Sequence, residues 1–377
     1  MQINYQMIDT PDKLKHLCRC LKTAKTVAVD LEADSMYHYR EKVCLLQIST
    51  KRQNALIDPL AVKDLSRLAP LFSDNSVKKI FHGADYDIRS LHRDFKLEIN
   101  NLFDTQLASM FLGCRQTGLS AVVKKRFNII LEKKFQKKDW SIRPLPKAMM
   151  RYAASDTIHL IPLAEILIQE LQKKGRLDWV LEECQYLSKV RHPLMNNDPL
   201  FIKFKGAGRL DSQCLNVLET LLQLRDRIAA RKDRPVFKVF GNHALLEIAY
   251  TQPTSLSQLV KMNVISSTQI NMYADAIIKN VKIAMQTPTH KRPSFPFRKR
   301  SSISLREHQR IDALKLWRNQ KAQLLDLEPS LICSKALMTA IARKKIRTPQ
   351  DLHTIDQMHK WRVEAFGNDI TGIVKSI

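Results

Sequence analysis

The chain has 377 residues, 44% of them apolar and only 9 of them glycine, which supports two or three ordinary packed domains and excludes collagen-like or glycine-rich designs. Its formal charge of +25, from 62 Lys and Arg against 37 Asp and Glu, exceeds what solubility requires and implies a polyanionic partner. Seven scattered cysteines without a C-x-x-C pair, no apolar leader and no run of about 18 apolar residues argue against a disulfide framework, a zinc site or a membrane partner, and favour nucleic acid in a reducing, cytoplasmic setting.

Residues 26–32, TVAVDLE, alternate Val27, Val29 and Leu31 with Ala28, Asp30 and Glu32, the period of a half-buried strand. VCLLQIST (43–50) and NALIDP (54–59) predict two more strands with sequential antiparallel pairing, and VKKIFH (77–82) predicts a fourth. Asp85 is placed to cap a helix running through IRSLHRDF. From about 105 to 185 the pattern is mostly helical, with Leu160, Leu163, Ala164, Leu167, Ile168 and Leu171 on one apolar face. Residues 1–190 therefore predict an α/β fold, a mixed sheet flanked by helices. A connector bearing Pro, Asn and Gly follows over 191–209.

The remainder is almost wholly helical. Leu215, Leu218, Leu221, Leu222 and Ile228 mark one helix; Ser267 is placed to cap another that buries Ile270, Ala274, Ile277, Val281 and Ala284. Residues 286–303 are rich in Pro, Ser and base with no acid, and read as a linker. An offset of 93 residues aligns Leu221, Arg225 and Ala229 with Leu314, Arg318 and Ala322, and Ile248, Ala249, Ser255 and Leu259 with Ile341, Ala342, Thr348 and Leu352. Ser255 and Thr348 both stand where helix N-caps belong, so two copies of one small helical module are expected.

Asp30 and Glu32 are two apart on a strand and share a face. Adjacent carboxylates repel, and a divalent cation is the usual compensation when they are buried. Asp87 lies in the first turn of a helix after a strand, where alone it need only complement the helix dipole. Tyr152 and Asp156 are four apart on a helix and share a face. Each pair alone is as well explained by a solvated surface. The joint order, D-x-E on an early strand, D at a strand–helix junction, then Y-x-x-x-D on a helix, is far more specific.

That order resembles the DEDD exonuclease superfamily in its tyrosine form. VDLEAD, FHGADYDIRSL and DWSIRPLPKAMMRYAASDTIHLIPL are similar to its three motifs as ribonuclease D proteins carry them. KDRPVFKVFGNHALLEIA resembles the core of an HRDC domain, and SLICSKALMTAIARKKIRTPQDL with HKWRVEAFG resembles a more divergent second copy. The resemblance implies a ribonuclease H-like sheet domain over 1–195, HRDC-type all-α domains over 208–287 and 304–377, and a basic linker over 288–303. It also implies 3′→5′ hydrolysis of RNA to nucleoside 5′-monophosphates with two Mg²⁺ or Mn²⁺ ions. Asp30 would bridge the ions, Glu32 and Asp156 would hold the nucleophile-side ion, Asp87 would serve the other, and Tyr152 would orient the attacking water. Precursor tRNAs with 3′ trailers, other structured RNAs and a monomeric state are further implications.

Residues 124–138 hold seven basic residues and one acid, interleaved with Phe127 and Phe135. Lys124, Lys125, Arg126, Lys133 and Lys134, with Trp140 and Arg143 beyond, are candidates for gripping RNA. A solvated helix face is the competing explanation for the charges, and plain core for Trp140. A DNA exonuclease would share the same carboxylates, and a non-catalytic nucleic-acid-binding protein would share the charge; the lack of any Gly-Lys pair excludes a P-loop helicase. With the four acids Asp30, Glu32, Asp87 and Asp156 all before residue 157 and the larger basic excess after residue 200, chemistry and substrate holding are expected to be divisible. A chain ending near Gln286 should keep its kcat on short RNA.

Overall fold

The computed structural model describes residues 4–193, 198–296 and 303–377. They divide into two units. The first comprises the described residues of Met1–Ala33, Val43–His192 and Ser301–Ile377; the second comprises those of Asp34–Lys42 and Pro193–Arg300. Arg298, Lys299 and Arg300 of the basic linker lie outside the described residues. No described helix is long and apolar enough to cross a membrane.

The first unit is built on six strands: β1 (Gln6–Ile8), β2 (Thr26–Ala33), β3 (Val43–Ser49), β4 (Asn54–Ile57), β5 (Lys78–Phe81) and β6 (Leu102–Asp104), in the spatial order β1-β4-β3-β2-β5-β6. β2, β3 and β4 pair antiparallel as the sequence predicts, while β5 joins β2, β6 joins β5 and β1 joins β4 in parallel. Edge strands β1 and β6, of three residues each, escape sequence reading because three residues show no period. Val27, Val29 and Leu31 face the main core with Leu46 and Ile48 of β3. Leu45 faces the opposite layer, with Ala153, Ala154 and Met149 from the helix over Lys147–Ile158.

The helix over Asp85–Phe95 (α1) starts one residue earlier than expected, so Asp85 lies in its first turn and pairs with Arg89 rather than capping it. Its entry is fixed by Asp104, whose carboxylate accepts from Gly83 N (3.0 Å) and Ala84 N (2.8 Å). The same carboxylate caps the helix over Thr105–Phe111 (α2) through Gln106 N and Leu107 N. Then follow α3 (Leu119–Phe127), α4 (Lys147–Ile158), α5 (Leu160–Lys173) and α6 (Leu177–Leu187). Residues 128–146 contain neither helix nor strand, so the helical reading of 105–185 is corrected there: Asn128 closes α3 in the left-handed conformation, and Pro144 and Pro146 bar a helix before Lys147.

The last three long helices, α7 (Leu305–Leu325), α8 (Lys335–Arg343) and α9 (Lys360–Ser376), belong to this same unit and share its core. Trp361 of α9 stacks on Trp179 of α6 at 4.7 Å and meets Phe111 edge-on at 5.5 Å. The Glu182 carboxylate caps α9 by accepting from Lys360 N (2.7 Å) and Trp361 N (2.8 Å). Burial pushes the Glu183 carboxyl up, but hydrogen bonds from His359 and Trp361 and the Arg362 charge hold it below the usual range. Residues beyond Gln286 therefore supply part of this unit's core. Removing them would uncover Trp179 and Phe111 and strip Glu182 and Glu183 of their donors.

In the second unit, helices over Ser212–Arg231, Asn242–Thr251, Leu256–Met262 and Ser267–Met285 enclose a separate core. Ser266, not Ser267, caps the last of these, in a capping box with Gln269. Residues 34–42 pack with this unit: the Tyr39 hydroxyl donates to Asp226 (2.8 Å), and Tyr39 N (3.1 Å) and His38 (2.7 Å) meet Asp233. The repeat at offset 93 is visible in equivalent contacts. Arg225 donates to the Phe240 carbonyl, and Arg318, 93 residues on, donates to the carbonyl of Cys333, also 93 residues on. Ser255 and Thr348 both cap, as their positions predict.

Candidate active site: a buried carboxylate cluster

Strand β2 delivers Asp30 and Glu32 to one face, just before a bulge at Glu32/Ala33 ends regular pairing. α4 packs across β2, β3 and β4 on that side and brings Tyr152 and Asp156, one turn apart. Its seating is fixed below Asp156 by a buried hydrogen bond of 2.6 Å between Thr157 Oγ1 and Ser49 Oγ of β3. Asp87 enters from the first turn of α1, placed by the Asp104-capped turn after β5. Gly83 in that turn has φ +78, and a Cβ there would stand 2.9 Å from Gln106 Oε1, so the turn requires glycine.

The five groups sense one another. Burial raises Asp30 to about 7. Burial, then the charges of Asp30, Asp156 and Asp87, push Glu32 well above the usual carboxylate range. Burial and the neighbouring acids, Asp30 foremost, do the same to Asp87. Asp156 rises to about 8 through burial and Asp30. Burial, with Asp156, Glu32 and Asp30 around it, pushes the Tyr152 phenol up and keeps it protonated, hydrogen-bonded to Asp156. Four carboxylates crowded in this way form a hard-oxygen donor set suited to divalent cations. Among the described residues no group of three or more His, Cys, Asp or Glu side chains is placed so as to hold a metal ion as it stands. The structure gathers the charge rather than a finished cage.

A cleft of about 620 Å³ opens onto Asp30, Glu32, Tyr152 and Asp156. Its far wall comes from Gln116, Gly118–Ala121 and Leu131, Glu132, Lys133 and Gln136. Of the basic candidates, Lys133 lines the cleft, and Lys124, Lys125 and Lys134 are exposed. Arg126 is committed to Glu170 through both terminal guanidinium nitrogens. Trp140 and Arg143 do not line the cleft. Trp140 is 1% exposed and packs beside the Tyr152 ring at 6.0 Å, so no base can stack on it. Arg143 grips Asp58 with two bonds of 2.6 and 2.7 Å and donates to the carbonyls of Trp140 and Cys44. Both hold the 139–146 segment in place behind Tyr152. Sequence reading missed His82, which lines the cleft and bonds Thr105 Oγ1 (2.9 Å); burial pushes its imidazole below the usual range. Its position beside the Gly83 turn was the available signal.

An acid-rich cleft on a mixed sheet, with a tyrosine one turn from an aspartate, suits the hydrolysis of phosphodiesters. Comparison with known proteins agrees. Residues 5–172 match the 3′-5′ exonuclease family, and residues 215–281 and 307–374 each match the HRDC domain. The catalytic core of RRP6 from Trypanosoma brucei is 32% identical, with a TM-score of 0.66, covering 76% of this chain and 82% of that one. Escherichia coli ribonuclease D is 29% identical over 287 residues, 76% of each chain; its crystal structure superimposes with a TM-score of 0.74 over 99% of both, at 24% identity. Arabidopsis thaliana Protein RRP6-like 2 is 30% identical over 76% of this chain, which spans 34% of that relative's length. The chain belongs to the DEDD 3′-5′ exonuclease family, in the branch that joins the nuclease domain to HRDC domains.

Proposed function

We propose that this chain is a divalent-metal-dependent 3′→5′ exoribonuclease that releases nucleoside 5′-monophosphates by a two-metal mechanism. Its substrates in this reading are 3′-extended tRNA precursors and other structured RNAs. The observation that carries the reading is the convergence of Asp30, Glu32, Asp87 and Asp156, with Tyr152, beside one cleft. Family membership supports it, as does the likeness to Escherichia coli ribonuclease D, an exoribonuclease involved in structured RNA processing.

Mg²⁺ or Mn²⁺ held by the four carboxylates would activate the attacking water and neutralise charge developing on the leaving 3′ oxygen. Asp30, central among the acids, suits a bridging position; Glu32 and Asp156 suit the side nearer Tyr152, and Asp87 the other. The Tyr152 hydroxyl stays protonated, so it orients a nucleophile by hydrogen bonding rather than by taking its proton. Lys133 at the cleft wall, with Lys124, Lys125 and Lys134 nearby in sequence, offers charge to the RNA backbone without reading sequence. The test is incubation of the purified chain with matched RNA and DNA 3′ ends, with Mg²⁺, with Mn²⁺ and with chelator. Stepwise release of 5′-monophosphates from RNA, abolished by chelator, is the expected result. Undiminished activity in chelator would overturn the reading, and equal rates on DNA would overturn its substrate class.

A further inference from the structure

The cross-strand partner of Asp30 is Gln47: the two residues stand opposite each other in the β2–β3 ladder. Directly opposed residues of an antiparallel pair place their side chains on the same face, with Cβ atoms about 4.5–5.5 Å apart. Gln47 therefore shares the face that carries Asp30 and Glu32. It is 0% exposed, and both its amide nitrogen and its amide oxygen are buried without a hydrogen-bond partner. Its neighbours on the same strand face are satisfied. Leu45 packs in the apolar layer under α4, and Ser49 bonds Thr157.

A buried primary amide with no partner is costly, and an apolar side chain of the same shape would remove the cost. A glutamine at this position is thus unfavourable for the metal-free fold and needs another reason. We infer that Gln47 is a positioning residue for the reaction, its amide nitrogen donating to the Asp30 carboxylate when that carboxylate is ionised and bound to metal. The bond would fix which oxygen lone pairs of Asp30 point toward the cations, as partners behind metal ligands generally do. Gln47 itself touches neither RNA nor metal. The inference rests on the metal-dependent reading of the carboxylate cluster.

The geometry requires opposite signs in two measurements on Gln47→Met and Gln47→Leu. In chelator, the melting temperature of the full chain should rise by about 2–4 °C, because an unsatisfied buried amide is replaced by a thioether or alkyl chain. Mn²⁺ affinity, measured by isothermal titration without RNA, should fall by roughly ten- to a hundred-fold, with kcat falling and KM for RNA unchanged. Ser49→Ala, which breaks the Thr157 bond, serves as the contrast and should lower the melting temperature. Unchanged Mn²⁺ affinity in the Gln47 variants would overturn the inference, as would a drop in melting temperature or failure of both variants to fold. Failure of the unsubstituted chain to bind Mn²⁺ would instead overturn the metal-dependent reading on which it rests.

Discussion

Replacing Asp30 by Asn keeps the side chain's shape and deletes one charge from the centre of the cluster. Burial raises Asp30 from an ordinary aspartate value of 3.8 to about 7. At ~1.4 kcal/mol for each tenfold in the protonation equilibrium, ionised Asp30 destabilises the metal-free fold by at most about 4 kcal/mol. A carboxyl with a raised folded-state pKa binds its proton more tightly folded than unfolded. Its destabilisation is absent below 3.8, grows as pH rises, and is complete above about 7. Asparagine carries none of this but still buries an amide, at a cost of about 1–3 kcal/mol if unsatisfied. The Asp30→Asn chain should therefore be more stable than the unsubstituted chain at pH 8 in chelator, by roughly 1–3 kcal/mol, with the gap closing toward pH 4. Added Mn²⁺ should stabilise the unsubstituted chain far more than the variant, and RNA hydrolysis by the variant should fall by orders of magnitude. Urea unfolding at both pH values, with chelator and with Mn²⁺, measures all but the last. A variant less stable than its parent at pH 8 in chelator, or a gap independent of pH, would refute the electrostatic argument; near-normal turnover would refute the catalytic one.

Tyr152→Phe deletes one hydroxyl that meets Asp156, so kcat should drop with little change in KM; a pure KM effect in steady-state kinetics would move Tyr152 to substrate binding. If the +25 surplus meets phosphate through about 6–10 contacts, RNA affinity should fall roughly 10³–10⁵-fold between 50 and 200 mM salt, and Lys133→Ala should reduce the slope by about one. Trp361→Ala empties the stack on Trp179 and Phe111 and should cost about 3–5 kcal/mol of stability in denaturant titration. A chain ending near Gln286 exposes the same surface, so its melting temperature should fall and its kcat on short RNA should fall with it; an unaltered kcat would restore the view that the last helices are separable.

The five groups of the site were legible because each motif sits on an element whose period fixes its direction: two apart on a strand, four apart on a helix, one turn into a helix after a strand. Trp140 and Arg143 were not, because sequence records their chemistry but not their partners. Arg143 is consumed by Asp58, 85 positions away in the chain, and Trp140 by a layer drawn from β3, β4 and α4. Gln47 was legible as part of a strand but not as a neighbour of Asp30, since register depends on the β2–β3 pairing and not on spacing along the chain. Residues 128–146 were misread because basic and aromatic residues at irregular intervals mimic a helix face when the left-handed Asn128 is overlooked.

The two helical repeats keep the same internal contact, an arginine on the carbonyl of residue 240 or 333, yet have different surroundings. In the first, the buried apolar residues form a core of their own, and Asp226 and Asp233 receive the 34–42 segment. In the second, Trp361, Phe366 and Trp317 extend the nuclease core, and Glu182 and Glu183 of α6 complete the start of α9. The face of the second copy that packs on Trp179 and Phe111 is committed to the nuclease layer. The basic excess of residues 201–377, 30 Lys and Arg against 14 Asp and Glu, is therefore not evidence that both copies hold RNA. In the second copy, Arg362 serves Glu183 and Arg318 serves Cys333, so part of the charge that looks like a binding surface in the sequence is committed to the fold.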